Sequence, residues 1–162
     1  MKTLTATTFG ILAILMLTAA SQLNTTAQGK DGGGRLAGTW EAVVTIRNCA
    51  TGNAITSFQS TGSFHQGGTF NGITAGSAPA SRSAEQGVWN HVSGNAYGFR
   101  FKAYLFNASG VATAYQVITH NVELDVDALS YSSDGISETF AMDGTPMATG
   151  CSSSTATRMV LD

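Results

Sequence analysis

Alternation of apolar and polar residues with a period of two is the feature that most limits how this chain folds. It is clearest over residues 97–105, where Tyr97, Phe99 and Phe101 alternate with glycine or basic residues. From residue 36 onward, no stretch has apolar residues at the spacing of an amphipathic helix for more than two turns. Because side chains on a strand point alternately to opposite faces, the pattern predicts an all-β fold.

Turn residues divide the alternating pattern into eight segments. Pairs such as Gly67-Gly68 and Asp143-Gly144 mark tight turns between them. The predicted strands cover residues 37–48, 55–65, 69–74, 87–92, 97–105, 111–126, 129–142 and 147–161. Residues 75–86, rich in Ser, Ala and Gly, form the one long irregular segment and a predicted mobile loop. The short connections predict an up-and-down antiparallel meander.

An open meander would leave two exposed edge strands, and closure into a barrel removes both. With 162 residues, 43% of them hydrophobic and 11% charged, the chain has material for one such domain. Closure requires the first strand to pair antiparallel with the last. If Cys49 faces Cys151, Ala42 faces Arg158 and even-numbered residues of both strands point inward. The predicted fold is therefore an eight-stranded up-and-down antiparallel barrel.

The beginning of the sequence has the pattern of an export signal. Lys2 precedes an uncharged apolar run over residues 9–17, which is too short to span a bilayer. Small residues permit cleavage after residue 20 or after residue 27, and neither site has a cysteine for a lipid anchor. We expect a secreted or periplasmic protein with no membrane anchor after cleavage. The predicted division is a signal peptide at residues 1–20, a flexible leader at 21–35 and a barrel domain at 36–162.

Export also determines how the two cysteines are interpreted. Cys49 and Cys151 lie near opposite ends of the predicted mature chain, and an oxidising compartment permits a disulfide between them. A bridge over that separation contributes about 4–5 kcal/mol in the chain-entropy model. The chain has no CxxC pair, and neither His65 nor His91 has metal-ligand spacing to another His or Cys. We therefore expect no metal and no cofactor.

Charge and motifs exclude several functional classes. The formal net charge is −2, so nothing attracts a phosphate backbone and nucleic acid is not an expected partner. The chain has no Gly-x-Ser-x-Gly elbow, phosphate loop or His-Glu-x-x-His motif. These absences count against a common hydrolase or a nucleotide-dependent enzyme.

The predicted closing strands carry a family resemblance. Gly38-Thr39-Trp40 begins the first strand, and Arg158 in the last strand can lie across that tryptophan. This arrangement resembles the barrel-closing signature of the calycin superfamily, the lipocalins and their relatives, and the chain is similar to small secreted bacterial barrels of that type. The resemblance implies a barrel whose open end binds an apolar or amphipathic small molecule. Trp40 and Arg158 would then be structural, with a cation–π contact of about 0.5–2 kcal/mol.

Polar residues on the predicted inner face indicate a candidate site. Gln116 and His120 lie on the apolar face of the sixth strand. A hairpin turn centred near Ala128 would put Ile118 opposite Glu138, so that His120 and Glu138 are diagonal neighbours within hydrogen-bonding reach. The carboxylate would then orient the imidazole and raise its pKa. The pair could equally be a structural hydrogen bond, or a bulge could turn Glu138 outward.

Three functions stay open at this point. The first is a secreted barrel that binds an apolar or amphipathic ligand. The second is a barrel cyclase or isomerase with His120 and Glu138 as its acid–base pair. The third is a protein-interaction or inhibitor module that presents residues 75–86. An eight-stranded barrel is wide enough either for packed side chains or for one small ligand. The predicted ligand-binding residues are Gln116, His120, Glu138, Phe99 and Phe101.

Overall fold

A computed structural model describes residues 34–161 of the chain. The predicted signal peptide and residues 21–33 of the predicted leader lie outside the described residues. A short 3-10 helix, Pro79–Ser81, lies between the third and fourth strands. Among residues 34–161, no helix is long and apolar enough to cross a membrane. The strands are β1 (Gly38–Arg47), β2 (Ala54–Phe64), β3 (Thr69–Thr74), β4 (Glu85–Ser93), β5 (Ala96–Phe106), β6 (Ala112–Leu124), β7 (Ser130–Ala141) and β8 (Pro146–Arg158).

The eight strands form one closed barrel in chain order, and every neighbouring pair is antiparallel. The predicted fold class and topology are confirmed. The barrel has two unlike ends. The β2–β3, β4–β5 and β6–β7 turns lie at what we call the closed end, together with the start of β1. The β1–β2, β3–β4, β5–β6 and β7–β8 connections lie at the open end.

The seam between β1 and β8 closes the barrel, and the predicted disulfide crosses it. Cys49 and Cys151 are bonded, with their Cα atoms 5.2 Å apart. The predicted register is wrong by two residues, because Ala42 faces Ala156 rather than Arg158. The reason is that Cys49 lies beyond β1 in the loop, so it is not itself paired with the residue it is bonded to. A shift of two keeps the faces, and even-numbered residues of both strands point inward as predicted.

Large apolar side chains fill the closed end. The Trp40 indole is fully buried, donates from Nε1 to the Leu36 carbonyl at 3.0 Å and meets the Tyr131 ring edge-on at 4.9 Å. Phe64 lies at the centre of this cluster, in contact with four other aromatic rings. Burial of this much aromatic surface is the main stabilising contribution at this end of the barrel.

Arg158 joins the closing strands to their neighbours. Its guanidinium lies over the Trp40 ring, with Cζ 4.3 Å from the ring centroid. The same group donates to the carbonyls of Ala128 and Ala37, each at 2.7 Å, and to that of Arg35. Arg35, counted with the leader in the sequence prediction, is therefore held against the barrel.

The β6–β7 hairpin has a different register from the predicted one. The turn spans residues 126–129, with Ala128 at φ 58°, so the loop has an even number of residues. Val117 therefore faces Glu138, and Ile118 faces Ser137. A shift of one residue reverses the faces of a strand, so odd-numbered residues of β7 point inward and Glu138 points outward.

Candidate functional site

The open half of the barrel is hollow. A cavity of about 510 Å³ extends from Tyr131 to the exposed residues Thr56 and Ser57 on β2, so it reaches solvent at the open end. This volume lies within the range of small-molecule binding sites. The sequence allowed either a filled or a hollow interior. The closed half of the barrel is filled with side chains, and the open half is hollow.

The cavity exists because two neighbouring strands turn small polar residues inward. On β7 these residues include Ser133, Gly135 and Ser137, and on β8 they are Ser152 and Ser154. Ile136 and Phe140 of β7 lie on the outer face instead. Interiors normally close by interdigitation of large side chains, and these strands supply none at this level.

The opposite wall of the cavity is aromatic. Phe70 contacts Phe99 and Phe101, with ring centroids 5.3 and 5.4 Å apart, and Phe99 and Phe101 are stacked 5.9 Å apart. Nearer the mouth, Gly76 approaches the Phe58 ring so closely that a Cβ there would lie 2.6 Å from it. The aromatic wall offers flat apolar surface to a ligand, and it includes the predicted residues Phe99 and Phe101.

His120 lies on the polar wall and is hydrogen-bonded at both ring nitrogens. Nδ1 is 2.9 Å from Ser133 Oγ, and Nε2 is 2.8 Å from Ser152 Oγ. Ser133 Oγ is in turn 2.6 Å from Ser154 Oγ. The predicted hydrogen bond between His120 and Glu138 is wrong, because the β6–β7 register puts Glu138 on the other face of the sheet.

Burial determines the charge state of His120. The ring is only 4% exposed, and desolvation lowers its pKa from 6.5 to about 4, against an opposing effect of the Asp134 charge. The predicted rise in this pKa is therefore wrong. A neutral imidazole has one donor nitrogen and one acceptor nitrogen, and both nitrogens are occupied by serine hydroxyls.

Tyr131 lies beside the same network, toward the closed end. Burial raises the pKa of this phenol, and the neighbouring Ser154 side chain opposes the rise. The hydroxyl keeps its proton at any physiological pH. The chain of hydrogen bonds therefore runs in the order Ser152, His120, Ser133 and Ser154.

An ion pair lies on the wall near the mouth. Arg82 Nη1 is 2.6 Å from Glu85 Oε1, and the two side chains are 9% and 5% exposed. Burial raises the pKa of Glu85, while the charge and hydrogen bond of Arg82 act in the opposite direction. Arg82 Nε also donates to Gln116 Oε1 at 3.5 Å. The pair attaches the β3–β4 connection to β4 and leaves this part of the wall without net charge.

Four of the five predicted ligand-binding residues line the cavity: Gln116, His120, Phe99 and Phe101. The predicted site residues did not include Arg82, Glu85 or the serines of β7 and β8. A signal was available for Ser152 and Ser154, because the predicted parity of the last strand already put even-numbered residues inside. Arg82 and Glu85 carried no such signal, since they fell in the segment predicted to be irregular.

No protein-family model, curated protein or solved structure matches the chain. Among residues 34–161, no three His, Cys, Asp or Glu side chains are grouped so that they could hold a metal ion. The function must therefore be inferred from the cavity and its two unlike walls.

Proposed function

We propose that this chain is a secreted barrel that binds one small, uncharged, amphipathic molecule in the open half of its interior. The observation that carries the proposal is the solvent-reaching cavity of about 510 Å³, whose aromatic wall faces a wall of hydroxyl groups. A ligand with an apolar ring system and one or two polar groups would place each part against matching surface. Such a pairing of apolar area with a few polar groups is typical of small-molecule sites.

The charges of the cavity favour a neutral ligand. Arg82 and Glu85 neutralise each other, and His120 is uncharged. An ionised ligand would lose its hydration without gaining an unpaired opposite charge, and this desolvation is costly in a buried site. We therefore narrow the expected ligand from apolar or amphipathic to neutral amphipathic.

Family and location belong to the same proposal. The Gly38-Thr39-Trp40 start of β1, with Arg158 over the indole, supports a relationship to the calycin superfamily. The Cys49–Cys151 bond supports export to an oxidising compartment. Both inferences agree with a secreted binding protein.

The two other functions find less support. The cyclase or isomerase mechanism needed His120 and Glu138 side by side, and these residues lie on opposite faces of the sheet. An interaction module needs no cavity, and a filled interior would have favoured it. We therefore propose binding without catalysis.

The test uses a fluorescent probe, 6-propionyl-2-dimethylaminonaphthalene, a neutral ketone whose emission shifts to shorter wavelength in apolar surroundings. Titration of the wild-type chain should give one saturable site with a blue-shifted emission. Val44 points into the cavity from β1, so Val44→Trp should fill part of the space and weaken binding at least about ten-fold, a loss of about 1.4 kcal/mol.

Val43→Trp is the matched control, because Val43 is the neighbouring residue and faces solvent. It should bind the probe as the wild type does. The proposal would be contradicted by an absence of saturable binding, or by equal binding in the wild type and both variants, which would put the probe on the outer surface.

A further inference from the structure

The polar chain on the cavity wall has both of its ends at the cavity. Ser152, at one end, and Ser154, at the other, both line the cavity, as do His120 between them and Tyr131 beside Ser154. Ser133 joins Ser154 to His120 behind them. Each member of the chain is a hydroxyl group or a neutral imidazole, so each can either donate or accept a hydrogen bond toward its neighbour.

We propose that this chain is a reversible hydrogen-bond relay, set by the tautomer of His120, that adapts the site to neutral ligands with either a carbonyl or a hydroxyl group at Ser152. The inference rests on the proposed binding function and specifies its ligand class. His120 is here a positioning residue, since it acts on the ligand through the serine.

One tautomer makes Ser152 a donor to the ligand. When the proton is on Nε2, this nitrogen donates to Ser152 Oγ, and the Ser152 hydroxyl proton is free to point into the cavity. Nδ1 then accepts from Ser133, and Ser133 accepts from Ser154. This state suits a ligand carbonyl at Ser152.

The other tautomer reverses every bond. With the proton on Nδ1, His120 donates to Ser133, Ser133 donates to Ser154, and the Ser154 hydroxyl proton is free to point into the cavity. The Ser152 hydroxyl donates to Nε2, so its oxygen faces the cavity as an acceptor. This state suits a ligand hydroxyl at Ser152. No group in the chain changes its charge between the two states, so neither state leaves a buried charge without a partner.

Gly135 leaves the space that the His120 imidazole ring occupies. Gly135 lies between His120 on β6 and Ser152 on β8 in the strand register. A Cβ at this position would lie 2.6 Å from His120 Cδ2 and closer still to the Thr119 carbonyl oxygen. The missing side chain lets the ring pass over β7 and reach Ser152 on the next strand.

The position of Ser152 determines where the polar group of a ligand binds. Ser152 faces Ile46 of β1, in the half of the barrel near the open end, whereas Tyr131 faces Ala156 near the closed end. A ligand that enters from the open end meets Ser152 first. The Phe99 ring, 5.4 Å from the His120 ring, then offers apolar surface beside the polar group.

The experiment uses four compounds that share a naphthalene ring. 2-Acetylnaphthalene has an acceptor, 2-naphthol has a strong donor, 2-ethylnaphthalene has neither, and 2-naphthoate is an anion. The ¹⁵N shifts of the His120 ring nitrogens, assigned by comparison with His120→Asn, report which nitrogen holds the proton. The ketone should move the proton to Nε2 and the naphthol should move it to Nδ1, while the hydrocarbon should leave the ligand-free shifts unchanged.

Affinities of the same compounds form the second measurement. Ser152→Ala should weaken binding of the ketone about five-fold, the effect of one hydrogen bond of about 1 kcal/mol, and leave the hydrocarbon unaffected. Ser132→Ala is the matched control, because Ser132 is an exposed serine on the outer face of β7. 2-Naphthoate should bind more weakly than the ketone.

The outcomes separate the relay from the binding function. If the ketone and the hydrocarbon bind and Val44→Trp weakens both, but the donor and acceptor compounds produce the same His120 tautomer, the relay is overturned and the binding function stands. Equal ketone affinity in Ser152→Ala and in the wild type would also overturn the relay. If no neutral compound in the series binds, both proposals fail.

Discussion

His120 shows how a single buried polar residue can be satisfied without a charged partner. Its two nitrogens meet two serine hydroxyls at 2.9 and 2.8 Å, and Gly135 makes room for the ring. A buried polar group that lacks a partner costs about 1–3 kcal/mol. The described buried side chains of this protein leave no such group unpaired, so none of them carries this cost.

The lowered pKa of His120 predicts how stability depends on pH. The folded protein binds a proton at His120 only near pH 4, whereas the unfolded chain binds it near pH 6.5. Stability from the neutral ring is therefore complete above pH 6.5 and is lost, by about 3 kcal/mol, as the pH decreases through 4. Urea unfolding at pH 7, 5.5 and 4 measures this effect.

The control for this prediction is His120→Asn, which retains the carboxylates that also titrate in the same range. The difference in unfolding free energy between the wild type and this variant should shrink as the pH falls from 7 to 4. A difference that stays constant over this range would contradict the buried, neutral state of His120.

The inward orientation of His120 was predicted correctly from the sequence, but its partner was not. The parity of β6 was readable from alternation, because Ile118, Val122 and Leu124 share its inner face. The partner of His120 depended on the number of residues in the β6–β7 turn. That number could not be predicted, because Ala128 has a positive φ, which is uncommon for alanine. A turn with one residue more or less would put Glu138 on the inner face, where the observed turn puts Ser137.

The boundaries of the strands were predicted well from the sequence. The inward and outward faces of the strands were predicted less well. The predicted bounds of β3 are those observed, and most others differ by one to three residues. β7 is the exception in its faces, because Ile136 and Phe140 point outward and small polar residues point inward. The assumption that apolar residues face the core fails where a barrel wall lines a cavity.

Arg158 links several elements at the closed end, and its replacement should lower the free energy of unfolding. Arg158→Lys removes the planar group over Trp40 and most of the hydrogen bonds to the Ala37 and Ala128 carbonyls. We expect a loss of about 2 kcal/mol in unfolding free energy, from one stacking contact and one or two hydrogen bonds. Chemical denaturation measures the change.

Arg100→Lys is the control, because Arg100 is exposed on the outer face of β5. Its effect should be within about 0.5 kcal/mol of zero. If both lysine variants lose the same stability, the arginine over Trp40 has no special role. Gly38 belongs to the same arrangement, since its φ is 144° and a Cβ there would overlap the Arg158 guanidinium.

For the molecule as a whole, closure of the barrel could be predicted from the sequence, but its hollow interior could not. Eight strands with short turns and two exposed edges favour a barrel, and the Cys49–Cys151 bond holds its seam. The free volume depends on the summed sizes of all inward side chains, and a one-residue shift in β7 changes this sum. The division into a filled closed half and a hollow open half therefore emerges only from the register of all eight strands.

The most direct test of the cavity as a binding site is a crystal structure of the protein with 2-acetylnaphthalene. The outer surface offers a competing aromatic site, where Tyr115 and Phe140 stack 5.2 Å apart with the Lys102 ammonium 3.8 Å from the Tyr115 ring centroid. We predict the naphthalene ring inside the barrel against Phe99, with its carbonyl oxygen about 2.8 Å from Ser152 Oγ. A compound bound only at the outer aromatic pair, with the interior empty or filled by side chains, would contradict the account.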